Sequence, residues 1–181
     1  MCYYPTMAFQ LGALQTSTKG VRSCPVSLGG HPIVRELGSN RYPLSCAYNA
    51  SSFTAGDKRM SLMLLPTASV AEWVRELDVW RQQPVQENDQ LFKGKKLEYK
   101  PLLREDGAIR CKITAPPGRT TCTFWDEHCQ SMETPEDFTQ VSIVPRVHLK
   151  CMWAMGAQCG LCLEITAMQV LPGVSTVCPF V

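Results

Sequence analysis

The feature that most restricts the fold of this chain is the two-residue alternation of apolar and polar side chains in its second half. Ile109, Cys111 and Ile113 alternate with Arg110 and Lys112, and Leu161, Leu163, Ile165 and Ala167 recur at the same interval. A strand places residues i and i+2 on one face, so this period belongs to half-buried strands. It predicts further strands at Leu97–Leu103, Arg119–Trp125, Phe138–Val144 and Val147–Met155. In the last of these, Val147, Leu149, Cys151, Trp153 and Met155 share one face and His148, Lys150 and Met152 the other, which assigns Trp153 to core packing. Glu105-Asp106-Gly107 and Ala115-Pro116-Pro117-Gly118 are turn sequences, so Leu97–Leu103, Ile109–Ile113 and Arg119–Trp125 are expected to form an antiparallel meander.

Upstream, two strands are predicted at Met7–Leu14 and Val21–Leu28 around the turn Gln15–Gly20, and a third at Met60–Leu65, stopped by Pro66. The weakly patterned stretch from Gly29 to Phe53 reads as connections or edge elements. One segment changes period: Val70, Trp73, Val74, Leu77 and Trp80 recur at helical spacing behind the capping-box sequence Ser69-Val70-Ala71-Glu72. An amphipathic helix over Val70–Gln82 follows, its two tryptophans acting as core anchors. Asp126–Asp137 is polar enough to be a surface loop. The expected fold is mainly β: an OB-fold-like antiparallel barrel with extensions and one prominent amphipathic helix. It is read as one domain over 1–181, with an OB-like core at about 41–171 and N-terminal strands at 7–28.

Apolar residues make up 45% of the 181 positions and charged residues 19%, which argues against global disorder. The first residues, Met1-Cys2-Tyr3-Tyr4-Pro5, lack a basic then apolar leader pattern, and no apolar run approaches a membrane span. A cytoplasmic or nuclear compartment is expected, with no membrane association. Without a leader, the ten cysteines are expected to be mostly free thiols, several of them buried in strands. Cys159-Gly160-Leu161-Cys162 has a spacing that can grip zinc, but on a strand the two sulfurs would face opposite sides. No metal, cofactor or catalytic residue is expected: nucleotide-binding, zinc-hydrolase and nucleophile-elbow motifs are absent, and His31, His128 and His148 are the only histidines.

Charge is distributed unevenly. From Lys93 to Arg119 eight Lys/Arg oppose three acids, whereas Asp126–Asp137 carries five acids and no Lys or Arg, in a chain whose total is +2. If the meander folds as read, Lys100, Arg110, Lys112 and Arg119 converge on its less apolar face, with Tyr99 and Trp125 nearby. Phosphates require positive charge and unstacked bases lie on aromatic rings, so these six residues are the expected track for single-stranded nucleic acid.

The succession Arg59–Leu65, the helix ending Leu77-Asp78, Tyr99-Lys100-Pro101, Arg110-Cys111-Lys112-Ile113, and Leu149-Lys150-Cys151-Met152-Trp153 before Gly160-Leu161-Cys162-Leu163 resembles the single-stranded DNA-binding proteins of large DNA viruses of eukaryotes. The resemblance implies an elaborated OB-fold and sequence-tolerant sheathing of DNA in replication, repair or recombination, in a viral replication compartment. It also implies nucleic-acid contacts from Tyr99-Lys100 and Arg110/Lys112, with replication proteins and a second copy of the chain as further partners. Many replication-associated single-strand binders carry an acidic tail, whereas this sequence reads Val177-Cys178-Pro179-Phe180-Val181 at its last positions. The alternative is a structural virion or nucleoprotein β-sandwich domain that self-assembles or binds a protein partner.

Overall fold

Twelve strands and one α-helix are formed by residues 9–52, 59–80, 97–114 and 121–173, the parts of the chain that the computed structural model describes. In chain order they are β1 (Phe9–Leu11), β2 (Gln15–Thr16), β3 (Arg22–Leu28), β4 (His31–Glu36), β5 (Leu44–Ser52), β6 (Arg59–Leu65), α1 (Ala68–Trp80), β7 (Glu98–Lys100), β8 (Ile109–Thr114), β9 (Thr123–Trp125), β10 (Ser131–Met132), β11 (Val141–Met155) and β12 (Gln158–Pro172). The chain is therefore mainly β with one helix, as the alternation predicts. The segments Met1–Ala8, Phe53–Lys58, 81–96, 115–120 and 174–181 lie outside the described residues, and with them Arg119, the end of the predicted helix and the start of the predicted strand Arg119–Trp125.

β11 and β12 form a long antiparallel hairpin around which the other strands assemble. Gly156, at φ 58°, supplies the left-handed residue that a two-residue connection needs at its first position. Along its free edge β12 pairs, in parallel, with β7 at Gln158–Gly160, with β8 at Leu163–Glu164 and with β9 at Ala167–Gln169. The predicted antiparallel meander is thus replaced by three short strands laid end to end against one long partner. Only a single antiparallel bridge, Leu103 to Ile109, joins the first two of those segments. Alternation reports which side a residue faces but not which strand it faces across the sheet, and a longer partner satisfies the same backbone groups.

The other edge of β11 is divided in the same way, pairing with β5 at Ser142–Ile143, β4 at Arg146–Leu149 and β3 at Cys151–Ala154. β5 pairs β6, β6 pairs β8 and β8 pairs β12, so the pairings run β11–β5–β6–β8–β12 and return to β11. The sheet is mixed rather than purely antiparallel, which corrects the expected antiparallel architecture. β4 and β5 stand in the stretch read as connections, while Phe138–Val144 and Val147–Met155 are one strand preceded by a 3-10 turn at Phe138–Gln140. Pro145 lies inside β11, and its carbonyl accepts from the Leu37 amide at 2.8 Å.

Inward-facing residues from these strands build one core, including Leu62, Leu64, Ile109, Cys111, Ile113, Val147, Leu149, Met152, Leu163 and Ile165. α1 adds Val70, Ala71, Val74 and Leu77 from its buried stripe, and a fully buried Val or Leu side chain contributes about 1.5–3 kcal/mol. The helix begins before the predicted capping box: the Thr67 carbonyl accepts from the Ala71 amide at 2.9 Å. Trp80 packs on Phe9 with ring centroids 4.2 Å apart, and the Arg35 guanidinium lies 4.8 Å from the Trp73 ring. Both tryptophans are half-buried at the margin of the core. Among the described residues, no helix is long and apolar enough to cross a membrane.

Candidate nucleic-acid interface

β8 shows most simply how the sequence builds the outer face of the sheet. Ile109, Cys111 and Ile113 are fully buried, and this turns Arg110, Lys112 and Thr114 to the opposite side. The register carries that side to Ser61 and Met63 on β6 and to Glu164 and Cys162 on β12. It continues to Arg146 and His148 on β11, and to Val34 and Glu36 on β4.

Lys100 reaches the same face from β7. It lies opposite Gly160, whereas its neighbour Tyr99 lies opposite the buried Cys159. Tyr99 therefore turns away from Lys100, and its hydroxyl donates to Asp78 of α1, a carboxylate that also accepts from the Leu102 and Leu103 amides at 3.0 and 3.3 Å. Trp125 lies opposite Gln169 at the far end of the row, 39% exposed, with its indole N–H donating to Thr123 Oγ1 at 3.1 Å. Of the six predicted contact residues, Lys100, Arg110, Lys112 and Trp125 share the outer face, Tyr99 does not, and Arg119 lies outside the described residues.

A bulge adds a residue that alternation assigns to the core. Leu149 pairs with Leu163 but Cys151 pairs with Cys162, which leaves Lys150 as an extra residue in β11 and reverses the phase beyond it. Met152 and Ala154 become fully buried, whereas Cys151, Trp153 and Met155 turn outward. Trp153 is thus half-buried on the outer face rather than in the core, and its indole N–H donates to the Leu161 carbonyl at 3.2 Å. Its ring covers Gly160: a Cβ there would stand 3.1 Å from the ring and 2.9 Å from the Lys100 carbonyl. The only sequence signal for this arrangement is a glycine set among apolar strand residues, which marks a close approach.

Cations on this face outnumber carboxylates, but most are held by local partners. Lys100 pairs with Glu98, Lys150 with Glu164 and Arg146 with Glu36, each at 2.6 Å. Lys100 holds the Glu98 carboxyl below its usual range, chiefly through their hydrogen bond. Arg110 donates to Ser61 Oγ from Nε at 3.2 Å and from Nη2 at 3.1 Å. Lys112 is in no ion pair among the described residues. Among the described side chains of this face, five Lys/Arg against three Glu leave an excess of two positive charges, a weaker field than the sequence segment alone implies, because Glu36 and Glu164 are brought in from distant strands. The acids of Asp126–Asp137 are instead largely turned into local structure: Asp126 accepts from the His128 and Gln130 amides at 2.9 and 2.8 Å, and Ser131–Met132 pair back on β9.

Cys159 and Cys162 face opposite sides of β12, Cys159 in the core and Cys162 outward, so the pair cannot chelate one ion together. Among the described residues, no three His, Cys, Asp or Glu side chains converge to hold a metal. Neither the family models nor the curated proteins searched contain a match to this chain.

Proposed function

We propose that the chain binds single-stranded DNA, without base-sequence preference and without catalysis, across the outer face of β6, β8 and β12. The observation that carries this reading is the outward projection of Arg110 and Lys112 from β8, flanked by Lys100 and Trp153 on one side and Trp125 on the other. Cations meet phosphates and the indole rings offer stacking surfaces, the pairing of chemistries that sequence-tolerant single-strand binding uses. The pairing circuit supports an OB-like reading: β11, β5, β6 and β8 lie in the Greek-key order of fourth, first, second and third, and β12 closes the circuit between the third and the fourth. In such five-stranded folds the second and third strands carry the oligonucleotide, and here these are β6 and β8. The resemblance to viral single-stranded DNA-binding proteins points the same way; Tyr99, committed to Asp78, is left out of the contact set.

The test is a salt titration of binding to mixed-sequence single- and double-stranded oligonucleotides, comparing wild type with R110A/K112A. Each phosphate contact on a single strand contributes about 0.7 to the slope of log affinity against log salt, so loss of two contacts should make the slope shallower by about 1.4. Unchanged affinity and slope in the folded double variant would remove β8 from the interface. A second reading, a self-assembling or protein-binding β-domain, is favoured by the local pairing of Lys100, Arg146 and Lys150 and by Val34, Tyr48 and Leu65, at 53%, 64% and 45% exposure on the same face. Formation of large particles without DNA, followed by sedimentation, would support that reading instead.

A further inference from the structure

Cys151 and Cys162 stand directly opposite each other on the outer face of β11 and β12, and both are free thiols. Opposed residues of an antiparallel pair have Cα atoms about 4.5–5.5 Å apart, within the roughly 4.4–6.8 Å that a disulfide spans, so side-chain rotation suffices to close one. The surroundings are polar: Lys150 Nζ bridges to Glu164 at 2.6 Å, Thr114 donates to the same carboxylate, and Lys112 lies opposite Glu164 on the neighbouring strand. The Cys151 thiol donates a hydrogen bond to Cys162 and, with Lys112 and Lys150 beside it, holds the Cys162 thiol below its usual range in spite of burial and the Glu164 charge. The other strand cysteines differ. Burial alone pushes the Cys122 thiol up to about 12, and burial with the Asp137 charge does the same for Cys46. Cys111, shut in the core, is also raised.

We propose that Cys151 and Cys162 are a redox-active dithiol that hydrogen peroxide oxidises to a cross-strand disulfide, with Cys162 as the nucleophile and Cys151 as the resolving thiol. The Cys162 thiolate attacks one peroxide oxygen and the O–O bond breaks. The departing hydroxide takes up a proton to become water, leaving a sulfenic acid on Cys162. Cys151 then attacks the Cys162 sulfur; the S–O bond breaks, and the hydroxyl group leaves as water with the Cys151 proton. The two sulfurs together lose two electrons, and the peroxide is reduced to water in the same count. Thiolate character and an adjacent resolving thiol favour such a site, and the burial of Cys162 behind the half-buried Cys151 restricts it to a small oxidant. Cys162 is buried and Cys151 half-buried, so a reducing dithiol attacks the disulfide at the Cys151 sulfur and restores the starting state. The site is independent of the DNA reading: it needs neither Arg110 nor an oligonucleotide.

The experiment treats the folded full chain with increasing hydrogen peroxide, then alkylates remaining thiols in denaturant. Digestion after aromatic residues cuts at Trp153 and so separates Cys151 from Cys162. Peptides joined through Cys151 and Cys162 should appear while Cys46, Cys111 and Cys122 are still fully alkylated, and should separate on reduction. Cys162→Ser should lose the link entirely, and Cys151→Ser should leave a sulfenic acid at Cys162 that dimedone captures. If either serine variant fails to fold by circular dichroism, the wild-type linkage map decides. Full alkylation of Cys151 and Cys162 at peroxide concentrations that oxidise the exposed Cys129, or a link joining different cysteines, overturns the proposal.

Discussion

Asp78 ties the last turn of α1 to β7 and the segment that follows it, accepting from the Tyr99 hydroxyl and from the Leu102 and Leu103 amides. A half-buried donor left without its acceptor costs about 1–3 kcal/mol, so Asp78→Ala should lower stability by about 3 kcal/mol and Asp78→Asn, which keeps one acceptor oxygen, by less; urea unfolding of both checks it. The one sign of this role in the sequence is an acid in the last turn of a helix, where the dipole disfavours it. That explains why Tyr99 reads as a stacking group: alternation gives its side of the strand, not the carboxylate waiting there from residue 78. The buried thiols make a second residue-level prediction. Cys46 and Cys122 stay protonated in the folded chain to about 12, while the unfolded chain releases those protons from about 9 upward. Above pH ~9 the unfolded state therefore binds fewer protons and stability falls as pH rises. Urea midpoints at about pH 8 and about pH 10.5 should show that fall, and C46A/C122A should make it shallower.

At the scale of the element, the bulge at Lys150 decides which side chains of β11 meet the core. Deleting Lys150 would remove the extra backbone unit and leave Leu149, Met152 and Ala154 inside and Cys151 and Trp153 outside by plain two-residue alternation. The deletion and Lys150→Ala should therefore both keep cooperative unfolding and near-ultraviolet circular dichroism; loss of both in the deletion variant alone would contradict the placement of the extra residue at Lys150. The helix was legible because Val70, Val74 and Leu77 keep one period throughout and meet one core. β8 was legible for the same reason. The bulge was not: Val147, Leu149, Cys151 and Trp153 form an unbroken two-residue series, and nothing in a series of apolar residues marks the extra backbone unit. β5 was missed because a nine-residue strand with bulges on either side of Tyr48 scrambles its own alternation. Two of the four outer-face contact residues, Arg110 and Lys112, could thus be placed from their own strand. The share of Trp153 in that face depended on the bulge.

For the whole molecule, the organising fact is that β12 is the common partner of β7, β8, β9 and β11. Most of its pairings join residues far apart in the chain, and closing such loops slows folding before the contacts form. Refolding followed by the fluorescence of Trp73, Trp80, Trp125 and Trp153 should therefore take milliseconds to seconds; completion within microseconds would contradict this topology. A ribosome meets the same arrangement as a matter of timing. Strands β5, β6 and β8 leave the exit tunnel well before Gln158, and until β12 follows them the edge of β8 opposite β6 has no long strand to accept it. The nascent chain must therefore wait with that edge uncovered, which makes this interval, rather than any state of the finished protein, the one in which a chaperone has most to protect.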